Sequence, residues 1–184
     1  FSFIREDCKR FGTPGEKFSW RNFFAGILSP GFQAIVVYRF FSWCHLRCIP
    51  TQPFRYVIER IIEITTGISI PARCKIGKGF RIHHFGGIIF HPSAEIGENC
   101  TIYHEVTIGD RGGYGNAAKI GNNVLIGVGA KVIGDITIGD NCLIGANAVV
   151  KKSMSSDTIA YGNPAIYQKR NTADPEHYRL KSEH

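Results

Sequence analysis

The chain has 184 residues, a hydrophobic content of 43%, a net charge of +7 and seven histidines. That composition is globular; the length suits one domain with an appendage, and no basic block of the kind that binds nucleic acid stands out. The longest uncharged run, Asn22 to Tyr38, contains Pro30 and is short for a membrane span, no signal peptide is visible, and a cytoplasmic location is expected.

Residues 1–66 read as a helical N-terminal region. Ser29-Pro30 has the form of an N-cap followed by a first helical residue, and Phe32, Val36, Phe40 and Trp43 then recur at helical spacing. This aromatic stripe is expected to serve as core or subunit interface rather than to face a membrane. Val57, Ile58, Ile61 and Ile62 form a second apolar face opposite Glu59, Arg60 and Glu63, with Gly67 as the stop.

From Ile70 the texture changes to a period of six. Ile70, Ile76, Ile82 and Ile88 are in step; after a slip of two residues between Ile88 and Ile96, the series runs Ile96, Ile102, Ile108, Ile120, Ile126, Val132, Ile138, Ile144 and Val150. Glycine often follows the aliphatic, as at Gly77, Gly97, Gly121, Gly127 and Gly145. The fourth following position is small or apolar and takes Cys74, Cys100 and Cys142, which read as compact inward side chains rather than as a disulfide framework. Such a period makes a short strand and a tight corner, three times per coil, so that eighteen residues form one coil and stacked coils share a column of Ile and Val. Residues 67–165 are therefore expected to be a parallel β-helix. The run 109–119, GDRGGYGNAAK, breaks the series and reads as a loop pushed out from one corner. Residues 166–184 are polar and expected to be a loose tail.

Two histidines share a slot in this scheme. His84 lies two places after Ile82 and His104 two places after Ile102, one coil later; Asn122 is expected below them, while His83 and Tyr103 stack one place earlier. A neutral imidazole can take a proton from a hydroxyl near neutral pH, which acyl transfer from a thioester to an alcohol requires. His84 is the candidate general base, and His104 its orienting partner or a contact to the acceptor. Backbone N–H groups of the loop from Gly109 are expected to stabilise the oxyanion. Zinc held by His84, His104 and either His83 or His91 is a rival reading; no metal is expected.

The hexapeptide pattern resembles the left-handed parallel β-helix acyltransferases, and the left hand is taken from that resemblance. The fold class is thus mainly β, with an α-helical N-terminal region. Residues 76–109 and 120–150, with the closing YGNPA at 161–165, resemble the serine acetyltransferase branch. That branch carries an Asp where His83 stands, another where Ser69 stands, and a second His within the region that here reads Asn116-Ala117-Ala118-Lys119-Ile120. These departures, with the His-His pair, the His of YHEVTIG and the GDRGG loop, resemble O-acetyltransferases of bacterial exopolysaccharide and capsule clusters, including the colanic acid type. The expected function is accordingly direct transfer of an acetyl group from acetyl-CoA to a sugar hydroxyl, with serine O-acetylation and a non-catalytic binding scaffold as alternatives. His83, Tyr103, Ser69, Arg111 and Tyr114 are expected on the acceptor side. By resemblance, Gly109, Asp110, Val128, Gly129 and Ala146 would hold acetyl-CoA, with Lys151 and Lys152 at its phosphates. The resemblance also implies a homotrimer with sites between subunits, and pairing of trimers through the helix at 30–43.

Overall fold

In a computed structural model, the structure describes residues 2–11, 26–113 and 115–170. Helix α1 spans Ser2–Lys9, α2 Pro30–Leu46 and α3 Phe54–Thr66. Pro30 opens α2 after Ser29, whose side chain makes no capping hydrogen bond, and Gly67 closes α3 in the left-handed conformation at φ 66°. Among the described residues, no helix is long and apolar enough to cross a membrane.

Short strands, fifteen among the described residues, build the rest. The first face of the coil is built from β1 (Ile68–Ser69), β4 (Ile88–Phe90), β7 (Thr107–Gly109), β10 (Lys131–Ile133) and β13 (Val149–Val150). The second is built from β2 (Lys75–Ile76), β5 (Glu95–Ile96), β8 (Lys119–Ile120) and β11 (Thr137–Ile138). The third holds β3 (Arg81–Ile82), β6 (Thr101–Ile102), β9 (Leu125–Ile126), β12 (Leu143–Ile144), β14 (Thr158–Tyr161) and β15 (Ile166–Lys169). All pairings are parallel except β14 with β15, so the expected tail begins with four residues that extend the third face as an antiparallel strand. Ile82, Ile102, Ile126 and Ile144 stack inside, all at most 2% exposed, while the alternate residues of these strands face outward and range from half-buried Arg81 to covered Thr101. Cys74, Cys100 and Cys142 fill the column as free, buried thiols.

The glycine after the aliphatic has a steric cause. A Cβ on Gly77 would come within 2.6 Å of the Gly97 backbone, and one on Gly97 within 2.6 Å of the Gly121 carbonyl oxygen. Coils that share backbone hydrogen bonds leave no room there for a side chain.

Two details of the repeat differ from the sequence reading. Ile76 pairs with Ile96 and Ile82 with Ile102, but the position opposite Ile108 is Phe90, not Ile88. The two extra residues therefore lie in the corner between Ile82 and Phe90, not after Ile88. Ile88 and Phe90 both point inward on the same strand, so a hexad count could end on either. Asn122 also moves. The 109–119 loop adds a full hexad, which preserves the phase of six yet displaces the later strands by one face. Ile102 pairs with Ile126, so the slot below His104 is Val128. Asn122 instead sits on the corner between second and third faces, where its Oδ1 accepts from the Glu98 N–H at 2.8 Å.

The N-terminal helices are fastened to the first coils through a buried ion pair. Arg39 Nε donates to Asp7 Oδ2 at 2.8 Å, and its Nη1 and Nη2 donate to the carbonyls of Ile76 and Gly77 at 2.5 and 2.6 Å. Asp7 Oδ1 accepts from the Phe80 N–H at 2.8 Å. The stripe expected on α2 is divided: Phe32 is buried, whereas Phe40 and Trp43 are about half exposed, at 52% and 48%. The helix is apolar nearly all round, so periodicity could not choose its inner face, which is Ala34, Ile35, Tyr38 and Phe41. On α3, Ile58 and Ile62 are half-buried while Val57 and Ile61 face outward with Phe54 and Ile64.

Candidate active site

The corner between the third and first faces carries the histidines. Here the widened turn His83-His84-Phe85-Gly86-Gly87 leaves His84 exposed, with φ 64°, a left-handed conformation costly for most residues other than glycine and asparagine. Tight stacking sets the turn's far side: a Cβ on Gly67 would meet Gly86 Cα at 2.8 Å. The strands on either side remain in register, because the His83 N–H donates to the Ile102 carbonyl and the Ile89 N–H to that of Val106.

The expected pairing of slots is present. The rings of His84 and His104 lie edge to face with centroids 5.6 Å apart, and His83 stacks on Tyr103 at 4.9 Å and 11°. Among the described residues, His104 Nδ1 is buried without a hydrogen-bond partner. His83 is held neutral near pH 7: burial, then the positive charge of Arg81, pushes its pKa down from 6.5 to about 4, with His84 and Arg10 adding to the effect.

The cofactor-side residues divide between two corners. Val128, Gly129 and Ala146 continue the His84–His104 line down successive coils, and the Gly129 N–H donates to the His104 carbonyl at 3.0 Å. Gly109, Asp110, Arg111, Lys151 and Lys152 lie instead on the corner between first and second faces, at the ends of β7 and β13. Arg111 Nη2 donates to the Lys151 carbonyl, joining these two segments. Tyr114 lies outside the described residues.

Part of the loop's supply of N–H donors has an acceptor within the loop itself. The Gly115 N–H donates to Asp110 Oδ2 at 3.2 Å, and the N–H groups of Gly113 and Gly112 also face that carboxylate, holding its pKa below the usual value. Three of the loop's donors are thus engaged by the loop's own acid, a contact that glycine count alone did not reveal. Ser69 lies on the outer side of β1, lining a cleft of about 160 Å³ with Glu59, Glu63 and Tyr38. Among the described residues, no group of three or more His, Cys, Asp or Glu is placed to hold a metal ion.

Residues 117–152 match the family model described as bacterial transferase hexapeptide (six repeats). A serine acetyltransferase of Synechococcus elongatus is 35% identical over 150 residues, covering 79% of this chain and 61% of that protein, so the chain spans less than two thirds of that relative. A serine acetyltransferase of Helicobacter pylori is 37% identical over 144 residues, covering 76% of this chain and 81% of that one. Among solved structures, serine acetyltransferase from Brucella abortus in complex with coenzyme A superposes with a TM-score of 0.81 at 27% identity, over 92% of this chain and 67% of that chain. These relatives overturn the expectation of a sugar acceptor and of a capsule or exopolysaccharide enzyme. That expectation rested on carboxylates absent from Ser69 and His83, on the missing second His and on the likeness of the His-His pair, His104 and the GDRGG loop, and such departures in one chain do not identify a different substrate.

Proposed function

The chain belongs to the serine acetyltransferase family, with its left-handed parallel β-helix, and on that premise we propose that it transfers an acetyl group from acetyl-CoA to the hydroxyl of serine. The observation that carries the reading is the widened corner that presents His84 beside His104 between strands that stay in register on both sides.

His84 removes the proton of the serine hydroxyl as its oxygen attacks the thioester carbonyl. The C–S bond of the tetrahedral intermediate then breaks, and His84 returns the proton to the departing thiolate, giving O-acetylserine and coenzyme A. His104 positions His84 through the edge-on ring contact. His83 cannot replace a carboxylate electrostatically, but a neutral imidazole nitrogen accepts a hydrogen bond from an ammonium group, and its depressed pKa keeps it in that form. Val128, Gly129 and Ala146 form the wall along which the pantetheine arm runs, with Gly109, Asp110, Arg111, Lys151 and Lys152 taking the remainder of the cofactor and the loop side of the acceptor.

Those two sets sit on different corners of one chain, so a single site using both requires a second copy. A homotrimer, with each site between neighbouring subunits, satisfies that requirement. The test is release of free thiol from acetyl-CoA with L-serine as acceptor, with O-acetylserine identified by mass. Serine-dependent release supports the reading; release that does not respond to serine overturns it.

A further inference from the structure

Beside the histidine corner, the outer surface of the third face carries two arginines. Arg81 lies on β3, two residues before His83 on the same side of the strand, a separation of about 6.6 Å. Arg10 reaches the same surface from just beyond α1, donating from Nη1 to the Asn99 carbonyl at 3.1 Å and from Nη2 to Thr101 Oγ1 at 2.8 Å. Arg81 is half-buried, its guanidinium 6.0 Å from the Phe11 ring centroid. Among the described residues it makes no ion pair, and the charged or titratable groups acting on it are Arg10 and Tyr103. Burial and the neighbouring cation Arg10 both lower its pKa, so the site keeps a partly desolvated cation without an anion to meet it. A half-buried arginine with no carboxylate beside it among the described residues, next to a reacting centre, is the arrangement that binds a planar anion through two parallel N–H donors.

We propose that Arg81, backed by Arg10, is the subsite that binds the carboxylate of the acceptor and thereby orients its hydroxyl toward His84. The inference rests on the acyl-transfer reading of the corner but not on serine itself: any short hydroxy acid places a hydroxyl a few ångströms from its carboxylate. The reach of an arginine side chain spans the two-residue step from Arg81 to the stacked His83–Tyr103 pair. The Phe11 ring beside the Arg81 guanidinium excludes water from it and so raises the strength of a charge-assisted hydrogen bond there.

The experiment compares the full chain with Arg81→Gln and Arg81→Lys variants, using L-serine, serinamide and D-glycerate as acceptors. Steady-state kinetics and equilibrium binding of each acceptor are read together. In the wild type, serinamide should bind roughly 10- to 100-fold more weakly than serine, the range for loss of a charge-assisted hydrogen bond. Arg81→Gln should raise the KM for serine by a similar factor, leave that for serinamide and for acetyl-CoA unchanged, and be partly rescued by Arg81→Lys. As an independent readout, the His83 imidazole should titrate closer to its ordinary value in Arg81→Gln, which also establishes that the two side chains remain adjacent. Equal discrimination between serine and serinamide in wild type and variant would overturn the proposal, as would a rise confined to the KM for acetyl-CoA, which would assign the cation to a cofactor phosphate. Absence of carboxylate-dependent binding by any acceptor would overturn it too. Turnover of D-glycerate but not serine would refute the serine reading while leaving the carboxylate subsite standing.

Discussion

Replacing His84 with Asn separates catalysis from folding at this corner. His84 is exposed and sits at φ 64°, so alanine would add backbone strain to the loss of the base. Asparagine adopts that conformation readily, as Asn99, Asn123, Asn141 and Asn147 do at φ 55–58° on other corners. The substitution removes an exposed ring whose main contact is the edge of His104, and surface changes of that kind usually alter stability by no more than about 0.5 kcal/mol. The melting temperature should therefore move by less than about 2 °C. Loss of a general base should lower kcat about 10²- to 10⁴-fold, equivalent to roughly 3–5 kcal/mol of barrier. The assay is thiol release under saturating acetyl-CoA and serine, alongside thermal unfolding and the KM for acetyl-CoA. A folded variant with kcat within about threefold of wild type would refute the assignment of His84 as the base. A larger loss in His104→Asn than in His84→Asn would transfer that role to His104.

Four other perturbations probe the thiols, the coil stacking, the helix junction and the titration of His83. Cys48 is exposed, whereas Cys74 and Cys100 are buried, with pKa values pushed up to about 12 and about 11; alkylation of native protein at pH 8 should modify Cys48 and spare both core thiols, read by peptide mass. Gly77→Ala would drive a Cβ to within 2.6 Å of the backbone of the next coil, and should destabilise the fold by about 1–3 kcal/mol in urea unfolding. Arg39→Met strands Asp7 in the buried junction between α1 and the first coil; a loss of roughly 3–5 kcal/mol is expected, visible as a melting temperature lower by about 6–20 °C. His83 has a folded pKa near 4 against 6.5 unfolded, so the unfolded chain takes up its proton first as pH falls. Its contribution is present above about pH 6.5 and is lost progressively toward pH 4, with a ceiling slope of about 1.4 kcal/mol per pH unit that solvent access reduces. His83→Asn should flatten the measured stability–pH slope across that window, and an unchanged slope would refute the assignment.

The period of six was legible because it has one physical cause repeated: an inward aliphatic, then a residue pressed against the next coil. Gly77, Gly97 and Gly121 carry that cause openly. Which face a residue occupies was less legible, since adding a whole hexad preserves phase while moving everything after it by one third of a coil. Asn122 was misplaced for that reason, whereas His84 and His104 were correctly paired because no extra hexad is inserted between them. The extra pair of residues was misplaced because Ile88 and Phe90 both satisfy an inward slot. Asp110 had no signal in spacing at all; its engagement of the glycine N–H groups depends on how the loop folds back. Arg10 and Arg81 likewise meet only through docking of α1 on the third face, across some 70 intervening residues.

The position of the insertion has a mechanical consequence. A corner of minimal length is dictated by the coils above and below it, because every backbone group stacks on a counterpart. Two added residues release His84 and Phe85 from that constraint, while Ile82 and Phe90 stay pinned to Ile102 and Ile108. The candidate base is therefore held between two rigid anchors, and the left-handed residue falls two places after the inward Ile82 rather than three, where Asn99, Asn123, Asn141 and Asn147 stand on regular corners. Shortening this corner to the regular hexad, by deleting Phe85 and Gly86, preserves the phase of both anchors and removes only the extra freedom. Such a variant should keep the far-ultraviolet spectrum of the coil and lose serine-dependent turnover by at least about 10²-fold, the lower end of a general base's contribution. Retention of turnover would show that the histidine pair, and not the widened corner, is sufficient to position the chemistry.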